Sequence, residues 1–262
     1  AELVAKWMQV GFIHGVMNTD NMSITCETID YGPCAFMDSF DNSKVFSSID
    51  HLGRYSYGNQ PRIAQWNLAR LAETLIPLID NSTGNSVKIA SKVIESFSDR
   101  FKDYWINGMR RKIGLSHAES SDEILINSLL DLMKENKSDF TITFRNLSNA
   151  VFNKNKEKYL KEFFNNSKIF DDWIMKWKYR LSLEKKSKKE ILNLMLGVNP
   201  AIIPRNHIVE KSILAAELNS NYSYFNNLIE VLKKPYEEIE KNKEYQKPPN
   251  PDEEVYRTFC GT

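Results

Sequence analysis

Apolar residues recur every three or four positions through most of this chain, and the exceptions cluster at its start. In QPRIAQWNLARLAETLIPLI the positions Ile63, Trp66, Leu68, Leu71, Leu75 and Leu78 repeat at helical spacing, and Pro61 suits a first helical turn. Ser86 to Ile113 does the same through Val87, Ile89, Val93, Ile94, Phe97, Phe101 and Trp105. SSDEILINSLLDLM offers Ser121 or Asp122 as an N-cap before Ile124, Leu125, Leu129, Leu130 and Met133. The pattern predicts further helices over 155–164, 170–183, 187–196, 206–218 and 222–241, with Trp173, Trp177 and Tyr179 as a core stripe. LEKKSKKE reads as a solvated helix face or linker, and the chain closes in an extended, Pro-rich segment, KPPNPDEEVYRTFCGT.

Residues 1–60 behave differently. Short apolar runs are broken there by Gly, Asn, Asp and Ser, and HGVMNTDNM at 14–22 gathers amide and acid side chains. MSITCETI, between Asn21 and Asp30, alternates well enough to predict two short strands turning near Cys26 and Glu27. The expected architecture is mostly α: a metal-binding segment over 1–60, a helical body over 61–245, and an extended tail over 246–262.

Composition narrows the chemistry. The 262 residues, 42% hydrophobic and 26% charged, suffice for a sizeable core. Lys and Arg number 35 against 34 Asp and Glu, so no long-range field marks a nucleic-acid or anionic-membrane binder. No apolar run approaches the ~20 residues of a membrane span, and AELVAKWMQVGF lacks the marks of a secretory leader. Cys26, Cys34 and Cys260 are too scattered for a disulfide framework or a zinc site, which makes a reducing cytoplasm the expected setting.

Hard cations such as Mg²⁺ take oxygen ligands, one or two from the protein and the rest from phosphates and water. Asn21 offers an amide oxygen and Asp30 a carboxylate, the layout a protein kinase uses when a catalytic-loop asparagine and the aspartate of D-F-G hold its metals. DYGP at 30–33 stands where D-F-G would. The position of the kinase catalytic aspartate, counted from His14, holds Val16, which cannot accept a proton; the nearest carboxylate is Asp20. Plain turns explain Asp20, Asn21 and Asp30 equally well. His14 reads as a brace for the loop. Asp50, His51 and Arg54 suit substrate or pyrophosphate, or an ion pair pinning a loop, and Arg205, Asn206 and His207 suit helix capping and packing.

Four stretches carry a family resemblance: GFIHGVMNTDNMSITCETIDYGPCAFMD, SSIDHLGRYSYGNQPRIAQWNLARLAETL, LGVNPAIIPRNHIVEKSI and the terminal FCGT. In that order they resemble the selenoprotein O family of pseudokinases. The resemblance implies a protein-kinase-like C-lobe with a short β-hairpin at the metal site and a helical C-terminal extension. It also implies transfer of AMP from ATP to Ser, Thr or Tyr hydroxyls of protein substrates. By match to the family motif, Asp20 is the proton acceptor, Asn21 and Asp30 the Mg²⁺ or Mn²⁺ ligands, and Asp30 also a nucleotide contact. Cys260 falls where the family carries selenocysteine or cysteine; a regulatory disulfide would have to use Cys34 or Cys26, because VFSS at 45–48 has no cysteine. The match covers the carboxy-terminal half of the family pattern. Its glycine-rich loop, lysine strand and phosphate-clamping arginines have no counterpart here, so the chain reads as one lobe of a two-lobed enzyme. A phosphotransferase with a displaced base, and a non-catalytic scaffold, are the competing readings.

Overall fold

In a computed structural model, residues 1–165 and 167–259 are described, and they form two compact units. The first comprises Ala1–Ala35, Asn42–Ile106 and the segment from Arg257; the second comprises Phe36–Asp41 and Asn107–Tyr256.

In the first unit, α1 (Glu2–Gln9) buries Val4, Ala5, Trp7 and Met8 and leads into β1 (Phe12–Ile13). β1 pairs with β2 (Ala35–Phe36), the only sheet among the described residues. The hairpin expected within 22–29 does not form. Ser23 Oγ accepts from Thr25 N, Thr25 Oγ1 donates to Glu27, and Ile24 is 82% exposed, so local side-chain bonds hold a turn with no apolar face for strands to bury. The strands lie outside that segment, flanking the candidate site. α2 (Gln60–Ile79) and α3 (Thr83–Lys112) follow the predicted periodicity closely.

The second unit is helical: α4 (Asp122–Glu135) packs on α7 (Lys168–Ser182), α5 (Phe140–Ala150) on α6 (Lys154–Glu162) and α8 (Lys188–Leu196), and α9 (Asn206–Asn219) on α10 (Ser223–Leu232). Phe164, Phe170, Trp173 and Trp177 stack in sequence through its core, with centroid separations of 3.9, 5.9 and 5.6 Å. The two indoles donate to Leu125 O and Ile113 O, which satisfies their only polar atoms. Tyr179 was expected in this stripe but is 68% exposed. Two residues past Trp177 it is rotated by about 200° on a helix, onto the opposite face.

Three further departures have local causes. α10 ends at Leu232 rather than near 241, because Pro235 follows and lacks the N–H a helix interior needs. Ser121 occupies the N-cap position of α4 without a side-chain cap, while Asp122 is drawn into a buried ion network, accepting from Arg110 Nε and Arg180 Nε. Arg205 stands at the N-cap of α9, but its guanidinium is 1% exposed and donates to Asp38 and Asp139. Asn206 Nδ2 donates to Phe36 O, so this motif packs rather than caps.

Candidate active site

Between β1 and β2 the chain runs through the loop His14–Asn21 and the turn Asp30–Pro33. Gly15 brings the two together. Its φ of +84° is a left-handed conformation that favours glycine, and a Cβ there would stand 2.7 Å from Pro33 O. His14 adds a second link. Its Nδ1 accepts from Val16 N at 3.4 Å, which leaves Nε2 to carry the proton and donate to Ile29 O at 2.8 Å. Burial beside Trp7 and Phe12 lowers the pKa of His14, so the imidazole is neutral at pH 7 and acts as a brace between the loop and the residue before Asp30.

The far end of the loop is a 3₁₀ turn, Thr19–Asn21. Asn18 and Asp20 are exposed, and Asn21 is half-buried. Asn21 Nδ2 donates to Val16 O at 3.1 Å, which fixes the amide and leaves its Oδ1 free to ligate. Asp30 is exposed at φ +51°, a left-handed conformation that aspartate tolerates better than most residues. Both oxygens are hard donors of the kind Mg²⁺ and Mn²⁺ select, and a pair of them suits an ion completed by phosphate and water. Among the described residues no group of three or more His, Cys, Asp or Glu side chains could hold a metal by itself.

The residues that hold this loop were not visible as site residues in the sequence. Gln60, fully buried at the start of α2, accepts from His14 N and donates to Phe12 O, both at 3.0 Å. One helical heptad later, Asn67 donates to Met17 O at 2.9 Å. Trp7 Nε1 donates to Thr28 Oγ1 at 2.8 Å, and Tyr55 Oη donates to Asn18 Oδ1 at 2.5 Å. The one available signal was a glutamine and an asparagine on the apolar stripe of α2, where Ile63 and Ala64 are its other buried members. From the carboxy-terminal segment, Thr258 pairs beside Ser47 and donates its hydroxyl to Pro33 O at 2.5 Å. That segment is thereby tethered to the site through Thr258; Cys260 lies outside the described residues.

Asp50 accepts from the backbone N–H groups of Arg54 and Tyr55 at 2.9 and 2.8 Å. It therefore pins its loop through the backbone rather than through the Arg54 guanidinium. Cys34 donates to Tyr31 O, and burial pushes its thiol up to about 11, which keeps it from being a thiolate at neutral pH. No helix among the described residues is long and apolar enough to cross a membrane.

The family model described as protein adenylyltransferase SelO matches residues 1–233. The protein nucleotidyltransferase YdiU of Rhizobium rhizogenes is 50% identical over all of this chain and 52% of its own length. Those of Rhizobium meliloti and Clostridium perfringens are 49% and 50% identical, again over the whole chain, and are covered over 54% and 52% of their length. The chain thus spans about half the length of these relatives. By the extent of that match, the chain belongs to the protein adenylyltransferase SelO family.

Proposed function

We infer that the chain carries the metal-binding and proton-accepting part of a protein adenylyltransferase, built on a protein-kinase-like C-lobe, that moves AMP from ATP to Ser, Thr or Tyr hydroxyls of proteins. The observation that carries this reading is the close packing of Gly15 on Pro33 together with the His14–Ile29 bond, which makes the loop bearing Asp20 and Asn21 and the turn bearing Asp30 one local structure. Family membership supports the reaction class.

In this reading Asn21 Oδ1 and Asp30 hold Mg²⁺ or Mn²⁺, which supplies positive charge against the triphosphate. Asp20 takes the proton of the acceptor hydroxyl as that oxygen attacks the α-phosphorus; the bond from the α-phosphorus to the α–β bridging oxygen breaks, and pyrophosphate leaves with its electron pair. His14, being neutral and committed to Ile29 O, orients the turn and takes no proton. ATP labelled at the α- or at the γ-phosphorus, incubated with the full-length protein and an acceptor, tests the reading. Label from the α-position on the acceptor is expected. Label from the γ-position makes the protein a phosphotransferase, and label from neither makes the site a scaffold.

A further inference from the structure

Three arginines, Arg54, Arg62 and Arg70, lie exposed on α2 and the loop before it. Arg62, Trp66 and Arg70 follow one another at four-residue intervals along α2 and so share one face. Arg54 approaches from the preceding loop. The Trp66 ring, 42% exposed, has the Arg54 guanidinium 4.8 Å and the Arg70 guanidinium 5.2 Å from its centroid. Only Arg70 has a carboxylate partner, Glu73 at 2.6 Å; Arg54 and Arg62 form no ion pair among the described residues.

Two links join this surface to the candidate site. Arg54 also stacks on Tyr55 at 5.7 Å, and Tyr55 bonds Asn18, the residue at the N-cap of the turn holding Asp20. Arg70 in turn borders an apolar groove of about 470 Å³, lined by Ala1 and Leu3 and by Thr19 and Met22, from either side of Asp20 and Asn21, with Leu68 and Leu71. The exposed guanidiniums of Arg54 and Arg70 are thus joined to the turn carrying Asp20 and to this apolar groove.

We propose that this surface recognises the protein acceptor: Arg54, Arg62 and Arg70 take carboxylates near the modified hydroxyl, and the groove takes an apolar side chain from the same segment. The proposal rests on the adenylyltransferase reading and adds a substrate class to it, acceptors with an acidic and apolar sequence around the hydroxyl. A free nucleotide is a poorer match, because small ligands bury most of their surface in concave sites, whereas the arginines stand exposed on a helix face and the loop before it. Guanidiniums held against an indole are pre-oriented, so less freedom is lost when they pair with carboxylates.

The test is fluorescence anisotropy of two labelled synthetic peptides, without nucleotide. One has a serine flanked by three glutamates and a leucine; the other has lysines in place of the glutamates. The acidic peptide is expected to bind this chain at least ~10-fold more tightly, with the preference falling as salt screens it. The double variant Arg54→Ala/Arg70→Ala should bring the two affinities within ~2-fold at unchanged circular dichroism, and Arg54→Lys/Arg70→Lys should restore part of the preference. Leu71→Asp, on the groove wall, should weaken the acidic peptide further still. Equal affinity for both peptides, or a preference untouched by the alanine variant, overturns the proposal. Peptide discrimination without α-label transfer in the full-length protein retires the adenylylation reading and leaves this surface standing; transfer without charge preference does the reverse.

Discussion

Gly15→Ala is the sharpest probe of how the site is held. Two costs add. The backbone at φ +84° is strained for any residue with a Cβ, by about 1–2 kcal/mol. The new methyl would also stand 2.7 Å from Pro33 O and 3.2 Å from Pro33 C, atoms of a backbone that Thr258 already ties down. Relieving that overlap by moving a packed backbone costs about 1–3 kcal/mol. The sum is roughly 2–5 kcal/mol. Gly53→Ala supplies the control, because its φ of +68° imposes the same kind of strain while its nearest neighbour is 3.7 Å away, in ordinary contact. Urea unfolding of both variants then isolates the steric part: Gly15→Ala should lose about 1–3 kcal/mol more than Gly53→Ala. Faster amide exchange at Val16 and Asn21, both in the loop, should accompany the loss. Equal destabilisation of the two variants would show that the loop and the Asp30 turn are not held by this contact.

In the full-length protein, Asp20→Ala should slow AMP transfer by about 10²–10⁴-fold while leaving ATP affinity within a few-fold, as expected for a general base. Asp30→Ala should abolish metal-dependent ATP binding, measured by calorimetry; unchanged affinity would remove it from the ligand set. Lys112 is 2% exposed, its ammonium lies 4.3 Å from the Phe144 ring centroid and 5.3 Å from that of Phe140, and burial lowers its pKa from 10.5 to about 7. Below pH 7 both folded and unfolded chains hold the proton and folding carries the full cost of the buried charge. Between pH 7 and about 10.5 only the unfolded chain keeps it, so stability rises with pH. The shift corresponds to an upper bound of ~5 kcal/mol on that cost. Lys112→Met should therefore stabilise the chain by about 1–3 kcal/mol at pH 6.5 and flatten that rise; a rise persisting in the variant would mean another group causes it.

The long helices were legible because their apolar periodicity runs unbroken for five turns or more, as in α2 and α3. α5 was not. FTITFRNLSNA reads as strand-like through its β-branched threonines and isoleucine, and it becomes helical where Asp139 caps it and Phe140, Phe144 and Leu147 gain a core to enter. The hairpin expected within 22–29 failed for the opposite reason, alternation with nothing to pack against. At the site, oxygen-bearing residues at suggestive spacing were visible in the sequence, and the aspartates were singled out by family motif. Their supports were not: Gln60, Asn67 and Thr258 act on backbone atoms 46, 50 and 225 residues away, and no local pattern encodes such a partner.

The Thr258–Pro33 bond also sets an order of events. Residues 14–33 leave the ribosome well before Thr258, and α1 and β1 can form around them from nearby sequence. The hydroxyl that holds Pro33 O is made 225 residues later. During synthesis the turn carrying Asp30 therefore waits, lacking one tether, while the whole helical body emerges and folds. Closing so long a loop is slow but adds little further entropy cost once the intervening helices are compact. A nascent chain stalled before Thr258 would hold every proposed ligand and the proposed base, yet lack the clasp on the turn that presents Asp30.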